Sequence, residues 1–199
     1  MTDQKRPYRM TRRAELEEAT RRRITESAVE LHEQLGPART PISAIAERAG
    51  VRRSTVYRHF PDEEALFVAC TSHWAAEHIP PDVEPWVQIG DPDERLRHAL
   101  RALYRYYRST GRMLEHSLRD ATVSPLVAKM LGPYRAYVAA AVDVLMRGRP
   151  ERGHARRRVR AAVGHALAFE TWHSLAVEQG LGDGDAAALM GRLVTCAPS

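Results

Sequence analysis

Between Gly50 and Pro61 the chain reads V-R-R-S-T-V-Y-R-H-F, and most of these side chains carry hydrogen-bond donors. Arg52, Arg53 and Arg58 supply guanidinium forks. Ser54, Thr55 and Tyr57 supply hydroxyls, and His59 supplies an imidazole. Val51, Val56 and Phe60 are apolar and fall at positions that one side of a short helix could bury. Such a donor set suits a polyanion. Guanidinium groups neutralise phosphate, and one well-aimed arginine holds both acceptors on a guanine edge. A threonine can touch a thymine methyl or a phosphate, and a tyrosine hydroxyl donates well to phosphate. In isolation, two adjacent arginines are more commonly a solvated turn, so the elements around them decide.

Other chemistry is poorly supplied. The chain contains no HExxH, no Cys/His cluster, no G-x-S-x-G, no P-loop and no dinucleotide fingerprint. His73 and His78 are five apart and His165 and His173 eight apart, but two ligands do not make a metal site. Lone acids such as Asp143 and Glu170 read as surface or interhelical charges. No catalytic residue, metal or cofactor is expected. Cys70 and Cys196 form no CxxC and suit a reducing compartment. The opening MTDQKRPYRMTRR has no apolar run after its basic residues, and no stretch reads as a membrane span. A cytoplasmic protein with no membrane partner is expected.

Charge divides the chain. Residues 1–60 hold 13 Lys/Arg against 8 Asp/Glu, whereas residues 61–199 hold 17 of each, so the first third carries the whole net charge of +5. That asymmetry points to a polyanion-binding segment joined to a neutral one.

The elements that must position the donors follow from periodicity. Residues 1–13 read as a flexible basic arm. From Ala14 to Leu35, apolar residues at Leu16, Ile24, Ala28, Leu31 and Leu35 predict a helix that Gly36-Pro37 stops. Thr40-Pro41 starts a short helix with Ile42, Ile45, Ala46 and Ala49 inward, ended by Gly50. Thr55 to Phe60 form part of a second short helix, and Asp62 caps a third carrying Leu66, Phe67, Cys70 and Trp74. Two short helices joined at a glycine make a helix-turn-helix, whose second helix enters the DNA major groove. The Pro-rich stretch 79–92 cannot be one helix, and the domain joint falls near residue 80. Beyond it the pattern is helical again. A break is expected at Gly111, another at Gly132-Pro133, and one long helix from about Arg156 to Gln179. The fold class is all-α: an N-terminal helix-turn-helix three-helix domain over residues 14–80 and a C-terminal helical effector-binding and dimerisation domain over 81–199.

Ile24, Ala28, Leu31, Gly36 and Thr40, followed by IAERAGVRRSTVYRHFPDEEAL (Ile45–Leu66), resemble the DNA-binding domain of TetR-family transcriptional regulators. The resemblance covers about a third of the chain; the rest fits the family more loosely. It implies a homodimer that binds double-stranded DNA at a palindromic operator and represses, an unknown small-molecule effector releasing the DNA. It puts Thr40 and Ser43 at a phosphate-contacting helix start, Thr55 and Tyr57 on the recognition helix and His59 beside the backbone. Arg52 and Arg53 sit where the family varies and are the candidates for base reading; Ser54 and Arg58 complete the DNA set. Arg58 stays open between DNA and solvent, and Tyr57 between core and phosphate. Three residues depart from the family pattern: Glu63 for a frequent Lys, Ser54 for a frequent Gly and Pro41 for a frequent Thr. The basic arm could compensate for Glu63 through the minor groove. Arg21-Arg22-Arg23 reads as a solvated helix face.

In the second domain, Tyr104, Tyr107, Met113, His116, Tyr134, Tyr137, Phe169, Trp172 and His173 are candidates for an effector pocket, apolar walls with a few polar handles. Each alone is more commonly plain core. Such a pocket suits an aromatic or apolar effector. Ala162, Ala166, Leu175, Ala186, Leu189, Met190, Leu193 and Val194 offer a surface for a four-helix dimer interface. The alternative function is a helical small-molecule-binding protein or enzyme with a secondary DNA-binding module. Nonspecific nucleoid binding is a weaker third reading.

Overall fold

The computed structural model describes residues 5–197, with side chains from Arg12 onward. The described residues are helical and contain no strand. Among the described residues eleven α-helices follow in order: α1 (Lys5–Leu35), α2 (Ile42–Arg48), α3 (Arg53–His59), α4 (Glu63–Glu77), α5 (Glu84–Val87), α6 (Pro92–Asp120), α7 (Pro125–Met130), α8 (Gly132–Leu145), α9 (Gly153–Leu167), α10 (Phe169–Trp172) and α11 (Asp183–Cys196). A 3-10 turn at Pro37–Arg39 precedes α2, and a π-helical segment at His173–Glu178 follows α10. No described helix is long and apolar enough to cross a membrane.

Two compact units share the chain. The first runs to His78 and also takes in His116–Met130; the second comprises Ile79–Glu115 and the residues from Leu131 onward.

The first unit is built around Ile24, Ala28 and Leu31 of α1, Ile45, Ala46 and Ala49, Val56 and Phe60, and Leu66 and Cys70 of α4. These are the apolar positions that the helical spacing predicts. Helix α1 begins at Lys5, ahead of the predicted Ala14, so Lys5–Arg13 is helical; residues 1–4 of the expected arm lie outside the described residues. At its other end Gly36 takes φ +98° and turns the chain. Any β-carbon there would collide with Arg119 and Asp120. The Asp120 carboxylate accepts from the Ala38 amide (2.9 Å) and from Arg119 Nε (2.8 Å), while Arg119 also donates to the Leu35 carbonyl (3.0 Å). Residues far along the sequence thus satisfy a carbonyl that the end of α1 leaves open and an amide of the turn that follows it. Gly50 adopts φ +63° between α2 and α3, and Asp62 caps α4 through the Ala65 amide (2.7 Å).

In the second unit, α6 runs through Gly111 without the predicted break. That glycine marks a close approach instead: a β-carbon would lie 3.2 Å from the Trp172 ring. The long helix expected from Arg156 to Gln179 is broken at Ala168, which is extended (φ −65°, ψ 139°). Side chains take up the carbonyls freed there. The Tyr104 hydroxyl donates to the Ala166 carbonyl (2.8 Å), that of Tyr107 to Leu167 (2.7 Å) and that of Thr171 to His165 (2.6 Å). Buried Arg95 staples the loop before α6, donating to the carbonyls of Ile89, Val144 and Arg147. Buried Arg149 pairs with Asp93 at 3.1 Å.

Candidate nucleic-acid interface

Helix α3 has seven residues, too short to persist alone. It is held by burying Val56 and the following Phe60, each 1 % exposed. Burial of these two turns the rest outward. Arg52, Arg53, Ser54, Tyr57 and Arg58 are exposed, and Thr55 and His59 half-buried. The Arg53 guanidinium lies 5.5 Å from the Tyr57 ring centre and donates to its hydroxyl at 3.1 Å. Both side chains thus contact each other on the outer face. Tyr57 stands on that face at 39 % exposure rather than in the core. Ser43 of α2 is exposed. The Thr40 hydroxyl donates to the Gly36 carbonyl (2.8 Å), which leaves its oxygen to accept. The His59 imidazole is held below the usual histidine range by burial and by the neighbouring charges of Arg58 and Arg21. It is neutral at pH 7 and a hydrogen-bonding group rather than a cation. Its Nε2 is shut off from solvent without a partner among the described residues.

Two arginines of α1 position these helices, a role that sequence reading missed. Arg21 donates to the His59 carbonyl (2.6 Å) and lies 4.2 Å over the Phe60 ring, so it caps the end of α3. Arg23 Nε donates to the Ala49 carbonyl (2.8 Å) and caps the end of α2. Cations at helix C-termini also meet the negative end of the helix dipole. The triplet is thus not a uniformly solvated face; Arg22 pairs with Glu26 on α1 itself. Helical periodicity places all three on α1 but says nothing of which distant carbonyl each reaches. Arg48 and Glu30 add an ion pair at 2.6 Å between α2 and α1.

Buried anchors on one side of a two-helix turn, with exposed donors on the other, make a helix-turn-helix reading surface. Residues 24–70 match the family model for bacterial regulatory proteins, tetR family. That stretch, and not the whole chain, carries the tetR-family pattern. No curated protein matches the sequence, but solved structures share the fold. A TetR-like transcriptional regulator from Rhodococcus sp. RHA1 is 18 % identical with a TM-score of 0.64, over 88 % of this chain and 93 % of its own. FadR from Bacillus subtilis, solved with stearoyl-CoA, is 17 % identical with a TM-score of 0.63, over 88 % and 97 %. PfmR from Thermus thermophilus is 20 % identical with a TM-score of 0.57, over 86 % and 96 %.

Of the aromatic residues singled out in the second unit, Tyr104, Tyr107, Tyr134, Phe169, Trp172 and His173 form a connected cluster. The Tyr107 ring meets Phe169 edge-on at 5.4 Å and Trp172 at 5.8 Å. Its hydroxyl proton is committed to Leu167, so Tyr134 must be the donor in their 3.0 Å contact. Tyr104 and Tyr107 are fully buried, and burial pushes both hydroxyls well above the usual tyrosine range. The Tyr137 hydroxyl donates to the Pro81 carbonyl (2.9 Å). Trp172 Nε1 donates to Asp183 (3.0 Å), which also holds Arg108 through two hydrogen bonds. His173 sits between Glu115 (3.9 Å) and Glu178 (3.4 Å). Met113 is buried. His116 belongs to the first unit, its Nδ1 shut off from solvent without a partner among the described residues. Among the described residues, no three His, Cys, Asp or Glu side chains gather to hold a metal.

Of the residues nominated for dimerisation, Ala166, Ala186, Met190 and Val194 are buried within the protomer. Ala162, Leu175 and Leu189 are half-buried, and Leu193 is 54 % exposed. The π-helical segment adds Val177, 49 % exposed, which sequence reading did not nominate.

Proposed function

We propose that this chain is a TetR-family transcriptional regulator, a cytoplasmic homodimeric repressor that reads a palindromic operator and leaves it when a small apolar or aromatic effector binds the second domain. The Arg53–Tyr57 pair on the open face of α3 carries the reading. Arg52 and Arg53 are the base readers. Thr40, Ser43, Ser54, Thr55, Tyr57, Arg58 and His59 hold phosphate or sugar. The division of labour is 14–80 for DNA and 81–199 for effector and partner, with residues 116–130 completing the first.

The effector is bound, not turned over. In the second domain Tyr104 and Tyr107 act as walls, because their hydroxyls already hold backbone carbonyls. Tyr134, Tyr137 and His173 are the polar handles, and Met113, Phe169 and Trp172 complete the candidate lining; His116, in the first unit, is left out of it. The stearoyl-CoA in FadR supports an apolar ligand. Leu193 and Val177 offer the exposed apolar area for a partner protomer, beside Ala162, Leu175 and Leu189. Release follows when effector binding favours a separation of the two recognition helices that loses operator register.

The test is selection from a random duplex library at physiological salt, with the wild type and with Arg53→Ala. Enrichment of a two-half-site palindrome, with the preference relaxed at defined positions in the variant, supports the proposal. A folded protein that enriches no site, with or without candidate apolar ligands, refutes it.

A further inference from the structure

A cavity of about 690 Å³ opens within the first unit, well inside the size range of small-molecule sites. Its walls come from the end of α1, the Pro37–Arg39 turn, the start of α2, α4 and the turn between α6 and α7. Ile42, Ile45, Leu66, Phe67 and Leu126 give it apolar walls, and His32, Thr40 and Ser124 add polar groups. Arg39 and Glu63 lie exposed along its rim, and their charges oppose each other.

One polar side chain in the lining is unexplained. His32 is only 4 % exposed, and its ring stacks on Phe67 at 5.0 Å. Neither ring nitrogen makes a hydrogen bond among the described residues. Nor is either one shut off from solvent, unlike the orphaned atoms of His59 and His116. In a side chain so deeply buried, the accessible nitrogen must face the cavity it lines. Buried polar groups are normally hydrogen-bonded, and the exceptions call for a reason.

We propose that this cavity is a binding site for a neutral, ring-bearing phenol or alcohol whose hydroxyl pairs with the His32 imidazole. The chemistry follows from the lining. The flat His32–Phe67 stack and the aliphatic walls favour a ring. A neutral imidazole offers one donor and one acceptor, the complement of a hydroxyl. Opposed rim charges give no net attraction for an ion. This site lies wholly in the DNA-binding unit and does not depend on the effector proposed for the second domain. An occupant would touch Thr40 to Ile45, the segment that leads into the helix-turn-helix.

The probe is 4-ethylphenol, titrated into the full chain at pH 7 while the ring protons of His32 and Phe67 are followed by NMR. Ethylbenzene is the control without a hydroxyl. The expected result is a saturable shift of both rings, with ethylbenzene about three- to tenfold weaker, the usual worth of one hydrogen bond. His32→Phe keeps the stack but should abolish the preference between the two probes. Ala38→Phe fills the rim from an exposed position and should block both. Absence of a saturable shift at His32, or an undiminished preference in His32→Phe, overturns the proposal. Should His32→Phe fail to fold, Ala38→Phe decides, and unchanged binding in it overturns the proposal equally.

Discussion

Replacing His32 by phenylalanine should remove most of the acid sensitivity of the first unit between pH 7 and pH 5. Burial lowers the His32 pKa to about 4, against 6.5 for a free imidazole, and the nearby Asp120 charge only partly opposes this. Unfolded, the ring takes up a proton near pH 6.5; folded, it does so only near pH 4. Between those values the unfolded chain binds more protons, so stability is complete above the higher value and falls as pH drops. At about 1.4 kcal/mol per pH unit the full loss is about 3 kcal/mol, of which about 2 kcal/mol is gone by pH 5. That is a large part of the margin of an ordinary domain. Native-state hydrogen exchange at the amides of Ile24, Ala28 and Leu31 reads the opening of this unit directly. Wild type should lose about 2 kcal/mol of protection from pH 7 to pH 5, and His32→Phe much less. Equal losses in the two proteins would refute the argument.

Arg21→Met should cost about 2 kcal/mol in unfolding experiments, through the lost carbonyl bond and cation–π contact; DNA affinity should fall with unchanged base preference, and a shifted preference would count against a capping role. Gly36→Ala should lower stability by about 2 kcal/mol or more, since strain at positive φ adds to collision with Arg119 and Asp120, whereas Gly50→Ala meets open space and should cost about 1 kcal/mol. Denaturant melts of the pair check that order. Tyr107→Phe leaves the buried Leu167 carbonyl unpaired and should cost about 1–3 kcal/mol, read as a lowered melting temperature. Burial pushes the Cys70 thiol up to about 12. Iodoacetamide at pH 8 should therefore label exposed Cys196 and spare Cys70, as mass spectrometry of the peptides would show.

What could be read from sequence was whatever depends on local pattern. The apolar spacing of Ile24, Ala28 and Leu31, the glycine before Val51 and the cap at Asp62 are all short-range signals, and the structure uses each of them as expected. Signals with two physical meanings misled. Gly111 looks like a helix stop, yet it is the flat spot that lets α6 pass Trp172. The apolar period from Val159 to Val177 looks like one helix, yet it is broken at Ala168. What makes that break tolerable includes the hydroxyls of Tyr104 and Tyr107, which come from 62 and 60 residues away and lie in no local window. The same holds for Arg21 and Arg23. Their charge was visible, but the carbonyls they reach lie 38 and 26 residues away. Long-range pairing of polar side chains with backbone ends is where a single sequence is least informative.

The turn at Gly36 is closed by Asp120, and Lys129 pairs with Glu64, so a segment from beyond residue 115 completes the DNA-reading unit. On a translating ribosome, the helix-turn-helix can form before that clasp but cannot be locked until Met130 has emerged. The same arrangement restrains evolution by gene shuffling. Exchanging reading heads at the Pro-rich stretch near residue 80, the obvious seam, would strand Gly36 without its carboxylate and Glu64 without its lysine. A viable chimera has to carry residues 116–130 along with the head they serve.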